Sequence, residues 1–76
     1  MQTNIEFSDN ILTVETFEDI VNVIHDLEFG QLKFSEPIRK VIIKNLSHNL
    51  EKYEVQDYLF SSQLKELEAV DIIDSG

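Results

Sequence analysis

Residues 4–27 change hydrophobic period once, at Thr16, and that change restricts the chain to few folds. Before it, apolar residues alternate in two short runs, NIEFS and ILTVET, on either side of Asp9-Asn10. Asp and Asn both tolerate positive φ, so this reads as a β-hairpin with a two-residue loop. That loop pairs Ser8 with Ile11, Phe7 with Leu12, Glu6 with Thr13 and Ile5 with Val14. The pairing places Ile5, Phe7, Leu12 and Val14 on one face and Glu6, Ser8 and Thr13 on the other. Turn chemistry and apolar pattern therefore specify the same register.

After Thr16 the period becomes helical. Thr16 as N-cap, with Asp19 three residues on, forms a variant of the capping box. Glu18 and Asp19 suit the positive end of the helix dipole. Phe17, Ile20, Val21, Ile24 and Leu27 form the stripe, with Val23 on its flank. Gly30 is the expected stop, which predicts a helix over residues 17–29. Glu18, Asp19, Asn22 and Asp26 fall on the opposite face. Surface helices ordinarily mix signs, and this one carries no base.

The remainder is less regular. Residues 31–37 alternate weakly, with Leu32 and Phe34 on one side. Pro37 limits that segment to an edge strand or a loop. Val41-Ile42-Ile43, bracketed by Arg39, Lys40 and Lys44, predicts a central strand buried on both faces. Ser47-His48-Asn49 reads as a turn or N-cap. Residues 50–60 lack a clean stripe. Leu50, Tyr53 and Phe60 share one side, while Val55 and Leu59 lie on another. Glu, Lys, Gln and Leu favour helix there. Ser61-Ser62 breaks it, a short helix follows with Leu64 and Leu67 inward, and residues 70–73 form a last strand.

These readings give one α+β domain over residues 1–76. A small single-layer sheet with an N-terminal β-hairpin is packed by one or two helices, in the order β-β-α-(β)-β-α-β. That element order resembles the β-grasp arrangement of ubiquitin-like domains; a split β-α-β sheet is the competing arrangement. The terminal Asp-Ser-Gly lacks the di-glycine with which conjugated ubiquitin-like proteins end. In a chain of 76 residues without Cys, no disulfide supplements a small core. The N-terminal residues do not read as a signal peptide, and no apolar run is long enough to span a membrane, so the expected compartment is the cytoplasm.

Charge narrows the partners. The formal net charge is −9, unevenly spread. Residues 1–32 hold seven acids and no base, residues 33–52 five bases and two acids, and residues 53–76 six acids and one base. Such a field disfavours direct binding to nucleic acid or anionic lipid and favours a basic protein surface. Acidity also keeps small proteins dissolved, so charge alone does not establish a partner.

Motifs for chemistry are sparse. His25 and Glu28 have the spacing of two helical metal ligands, and His48 is the only further His. The plainer reading of His25 is a residue at the border of the apolar stripe. Carboxylate pairs Glu15/Glu18, Glu51/Glu54 and Asp71/Asp74 would need a pocket wall to act as acid and base. No nucleophile elbow, phosphate loop, zinc-protease or calcium-loop spacing occurs. The expectation is therefore a non-enzymatic binding protein without cofactor or metal. Its candidate contacts are Glu15 just before the first helix, Glu18, Asp19 and Asp26 on that helix, and Glu51, Tyr53, Glu54, Asp57 and Tyr58 on the second. Tyr rings among carboxylates suit a basic groove, although both rings could instead complete the core. Size and charge are similar to those of phage inhibitors of host defence, including anti-CRISPR and anti-restriction proteins, and of immunity proteins and antitoxins. The expected target is the nucleic-acid-binding surface of a nuclease or other DNA-handling complex. The alternative is an adaptor recognised through the sheet near Val41-Ile42-Ile43 and its basic collar.

Overall fold

The computed structural model describes residues 5–46 and 49–73. Two four-residue strands, β1 (Ile5–Ser8) and β2 (Ile11–Val14), form the hairpin in the expected register. Asp9 (φ 52°) and Asn10 (φ 66°) both take the left-handed conformation, the signature of a type I′ turn. Asn10 also has a tertiary role. Its side chain donates to the Pro37 carbonyl at 2.8 Å, and its own carbonyl accepts from Arg39 and Lys40.

Helix α1 (Phe17–Glu28) begins with the full capping box. The Asp19 N–H donates to Thr16 Oγ1, and the Thr16 N–H donates to the Asp19 carboxylate. It ends in a Schellman motif, with the Gln31 N–H on the Asp26 carbonyl (2.8 Å) and the Gly30 N–H on the Leu27 carbonyl (3.3 Å). Gly30 supplies the φ of 74° that this closure needs. Strand β3 (Lys40–Ile43), helix α2 (Lys52–Phe60) and strand β4 (Ala69–Ile72) follow.

The sheet order is β1-β2-β3-β4, with β2, β3 and β4 parallel. Strands neighbour one another in chain order, whereas the β-grasp and split β-α-β arrangements both bring non-consecutive strands together. The molecule is an α+β domain in which a hairpin runs into two successive β-α-β units. Both units step the same way across the sheet. The right-handed crossover rule then sends both helices to one face.

Burial agrees with that geometry. Leu12, Val14, Val41 and Ile43 are buried with Ile20, Val23 and Ile24 of α1 and Val55 and Leu59 of α2. Residues of the other parity are not. Ile42 is only half-buried, so the expected burial of β3 on both faces is corrected to one. A triplet of β-branched residues cannot reveal that its two flanking helices share a side.

Of the two alternatives for residues 31–37, the loop is the one found: they are a connection from which Leu32 and Phe34 pack on the core. Residues 63–67 form turns rather than a short helix, although Leu64 is buried and Leu67 half-buried as expected. The eight residues 61–68 between α2 and β4 must descend from the helix layer to the sheet edge, where the Glu68 N–H meets the Arg39 carbonyl. Of the segment Ser47-His48-Asn49, the first two residues lie outside the described residues. Glu51, not Asn49, occupies the N-cap of α2, and its side chain makes no capping bond.

Candidate functional site

Helix periodicity decides what each helix presents. In α1, residues 18, 22 and 25 project away from the buried arc and are exposed, as is Phe29 at its C-cap. One flank, bearing Phe17, Val21, Ile24 and Glu28, turns toward α2. The Phe17 and Tyr58 rings meet edge-to-face at 5.4 Å, and Gln63 Nε2 donates to the Ile24 carbonyl at 2.7 Å. Between the helices runs a shallow groove of about 320 Å³ floored by Val21 and Ile24. The other flank bears Asp19 and Asp26, both half-buried.

In α2 the inward side is only Val55 and Leu59, one turn apart. Everything else in the helix is exposed. Tyr53 is 69% exposed, Phe60 50% and Tyr58 39%. Phe29, just past α1, is 63% exposed and lies 4.6 Å from the His25 ring. Among the described residues, four of the five large exposed apolar side chains therefore belong to the helix layer. The fifth, Ile73, follows β4.

The nine expected contact residues do not form one set. Glu15 is drawn elsewhere, to Lys44 Nζ at 3.7 Å and the Asn45 amide at 3.2 Å, at the end of β2. Asp19 is occupied by its capping box. Asp26 stands on the flank of α1 remote from α2. Tyr53 and Asp57 lie on the outer side of the helix layer, and Glu18, Glu51, Glu54 and Tyr58 are exposed in the same layer. Glu28, Phe29 and Phe60 join them without having been expected. The signal for Phe60 was present: once Val55 and Leu59 define the inward side, residues 53, 57 and 60 must lie opposite.

Ion pairing separates this layer from the rest of the molecule. Among the described residues the pairs are Arg39–Glu68 (2.9 Å), Arg39–Glu66 (3.9 Å) and Lys44–Glu15 (3.7 Å). None uses an acid of either helix. The α1 acids Glu18, Asp19, Asp26 and Glu28 face no Lys or Arg on their own helix, and α2 with its cap sets Glu51, Glu54 and Asp57 against Lys52 alone. The helix layer thus displays uncompensated carboxylates among exposed rings. The bare side of the sheet mixes Lys40 and Lys44 with Glu6 and Asp71. These charges are ordered by the fold.

No group of three His, Cys, Asp or Glu among the described residues could hold a metal ion. His25 is exposed against Phe29, and His48 and Asp74, each needed by a sequence-derived grouping, lie outside the described residues. Among the described residues no helix is long and apolar enough to cross a membrane. No family model matches the chain, and neither does any curated protein or solved structure.

Proposed function

We propose that this is a non-enzymatic binding protein that docks the outer side of its helix layer on a basic surface of another protein. The surface envisaged is the nucleic-acid-binding face of a cytoplasmic nuclease or DNA-handling complex. The observation that supports this reading is the helix layer itself, whose acids make no ion pair among the described residues, with Tyr53, Tyr58 and Phe60 exposed between them. Carboxylates so placed compete for the Lys and Arg side chains that otherwise neutralise phosphates. The long-range field speeds encounter, while the rings supply rigid contact area at low entropy cost. A phage-encoded inhibitor of host defence would act in this way, and so would an immunity protein or antitoxin.

The test is a partner captured from native cell extract at low salt, then titrated with the wild type and with the triple variant E18Q/E54Q/D57N. Neutralisation is expected to weaken binding about tenfold or more, mainly through slower association, and the difference should vanish at high salt. Equal affinity of both proteins at both salt concentrations would remove the proposal.

A second reading has one observation in its favour. Ile42 is half-buried on the bare sheet face between Lys40 and Lys44, the arrangement an adaptor would offer. In that case K40E/K44E abolishes binding and E18Q/E54Q/D57N leaves it intact.

A further inference from the structure

The two edges of the sheet differ. At β1, Phe34 of the 31–37 connection packs on Phe7 with ring centroids 4.6 Å apart. At β4, no described segment pairs with the outer side. The ladder fixes which main-chain groups are left over. The Ala69 N–H donates to the Arg39 carbonyl and the Ile73 N–H to the Ile43 carbonyl, so residues 69, 71 and 73 direct their backbone toward β3. The N–H and C=O of Val70 and Ile72 therefore point outward, without a partner among the described residues. Lys, Pro and bulges are the usual protections of such an edge, and β4 has none; its one charge is Asp71.

Asp71 decides what can pair there. It stands on the bare sheet face beside Ile42, makes no ion pair among the described residues, and is exposed. A second copy pairing antiparallel through all four free groups would centre on Asp71 and set two carboxylates directly opposite each other. Two chains of net charge −9 also repel. A strand with a cation opposite Asp71 meets neither obstacle. We infer that the outer edge of β4 accepts an extended basic segment of a partner protein, by strand addition. Its Lys or Arg side chains lie on the bare face opposite Ala69, Asp71 and Ile73, and its alternate apolar side chains lie beside Val70 and Ile72. Main-chain bonds hold the segment and the alternation sets its register. The inference relies on the function proposed above only for the sign of the partner's charge.

The probe is the blocked peptide Lys-Val-Lys-Val-Lys-Val-Lys, with forms N-methylated on the Lys set or on the Val set. Binding is followed by amide NMR and by hydrogen exchange. The expected result is perturbation centred on residues 69–73, slowed exchange at Val70 and Ile72, and loss of binding on N-methylation of one set but not the other. Asp71→Lys should weaken binding about tenfold, from losing one cross-strand attraction and gaining a repulsion. Val70→Pro removes an outward N–H that the fold does not use, so it should weaken the complex at least about fivefold. If that variant misfolds, the N-methylated peptides decide alone. Equal binding of all peptide forms, perturbation centred on the helices, or dimerisation of the protein in place of peptide binding would overturn the inference. E18Q/E54Q/D57N should still show the residue-specific peptide signature, so this inference and the helix-layer proposal can fail separately.

Discussion

Leu59→Ala and Tyr53→Ala, two truncations in one helix, should have opposite consequences. Leu59 is fully buried, and only Val55 shares its task of seating α2 on the sheet. Truncating a fully buried Leu costs about 2–5 kcal/mol, the larger values where the surroundings cannot collapse into the space. The cavity would open beneath a helix with one remaining anchor, so about 3 kcal/mol is expected. A domain of this size has about 4–11 kcal/mol in total. With a urea m-value of about 1 kcal/mol per molar, the midpoint should fall by about 3 M. Tyr53 is mostly solvated, and Tyr53→Ala should stay within about 0.5 kcal/mol. Urea titrations followed by far-UV circular dichroism measure both. Affinity for the captured partner should order the other way, with Tyr53→Ala weakening it about tenfold as a lost aromatic anchor. A midpoint shift below about 1 M for Leu59→Ala, with m unchanged, would refute the claim that this side chain seats α2. A large stability loss for Tyr53→Ala would show that its ring belongs to the core.

Three further outcomes follow from local geometry. Gly30→Ala should destabilise by about 1 kcal/mol in thermal melts, although a Cβ there would meet nothing within 4 Å, because the cost is the φ of 74° alone. Thr16→Ala removes the hydroxyl that accepts from Asp19 and should cost about 1 kcal/mol, read from the same melts; no change would show that Asp19 alone secures the helix start. Asp71→Val removes the charge that opposes homotypic edge pairing, so sedimentation should show a concentration-dependent dimer that the wild type lacks; a variant monomeric at every concentration would deny Asp71 that role.

Local chemistry alone determined residues 5–30. Asp9-Asn10 specified a two-residue turn, the turn specified the register, and the register put Leu12 and Val14 inward. Thr16, Asp19 and Gly30 then marked both ends of α1. Each signal acts over six residues or fewer, so no distant contact was needed to read it. The inward side of α2 was harder, because two buried residues make a weak stripe and Tyr53 and Phe60 compete with it on hydrophobicity.

Long-range arrangement required the tertiary structure. Whether β3 is buried on one face or two depends on where both helices pack, and that follows from two crossovers stepping the same way. The site divides likewise. Composition indicated that acidity was in excess, but only packing drew Glu15 to Lys44, held Asp19 in its cap, and gathered Glu18, Glu28, Glu54 and Asp57 beside exposed rings. Sequence spacing sets which residues share a face of one element. Which faces of different elements meet is set by the sheet that aligns them.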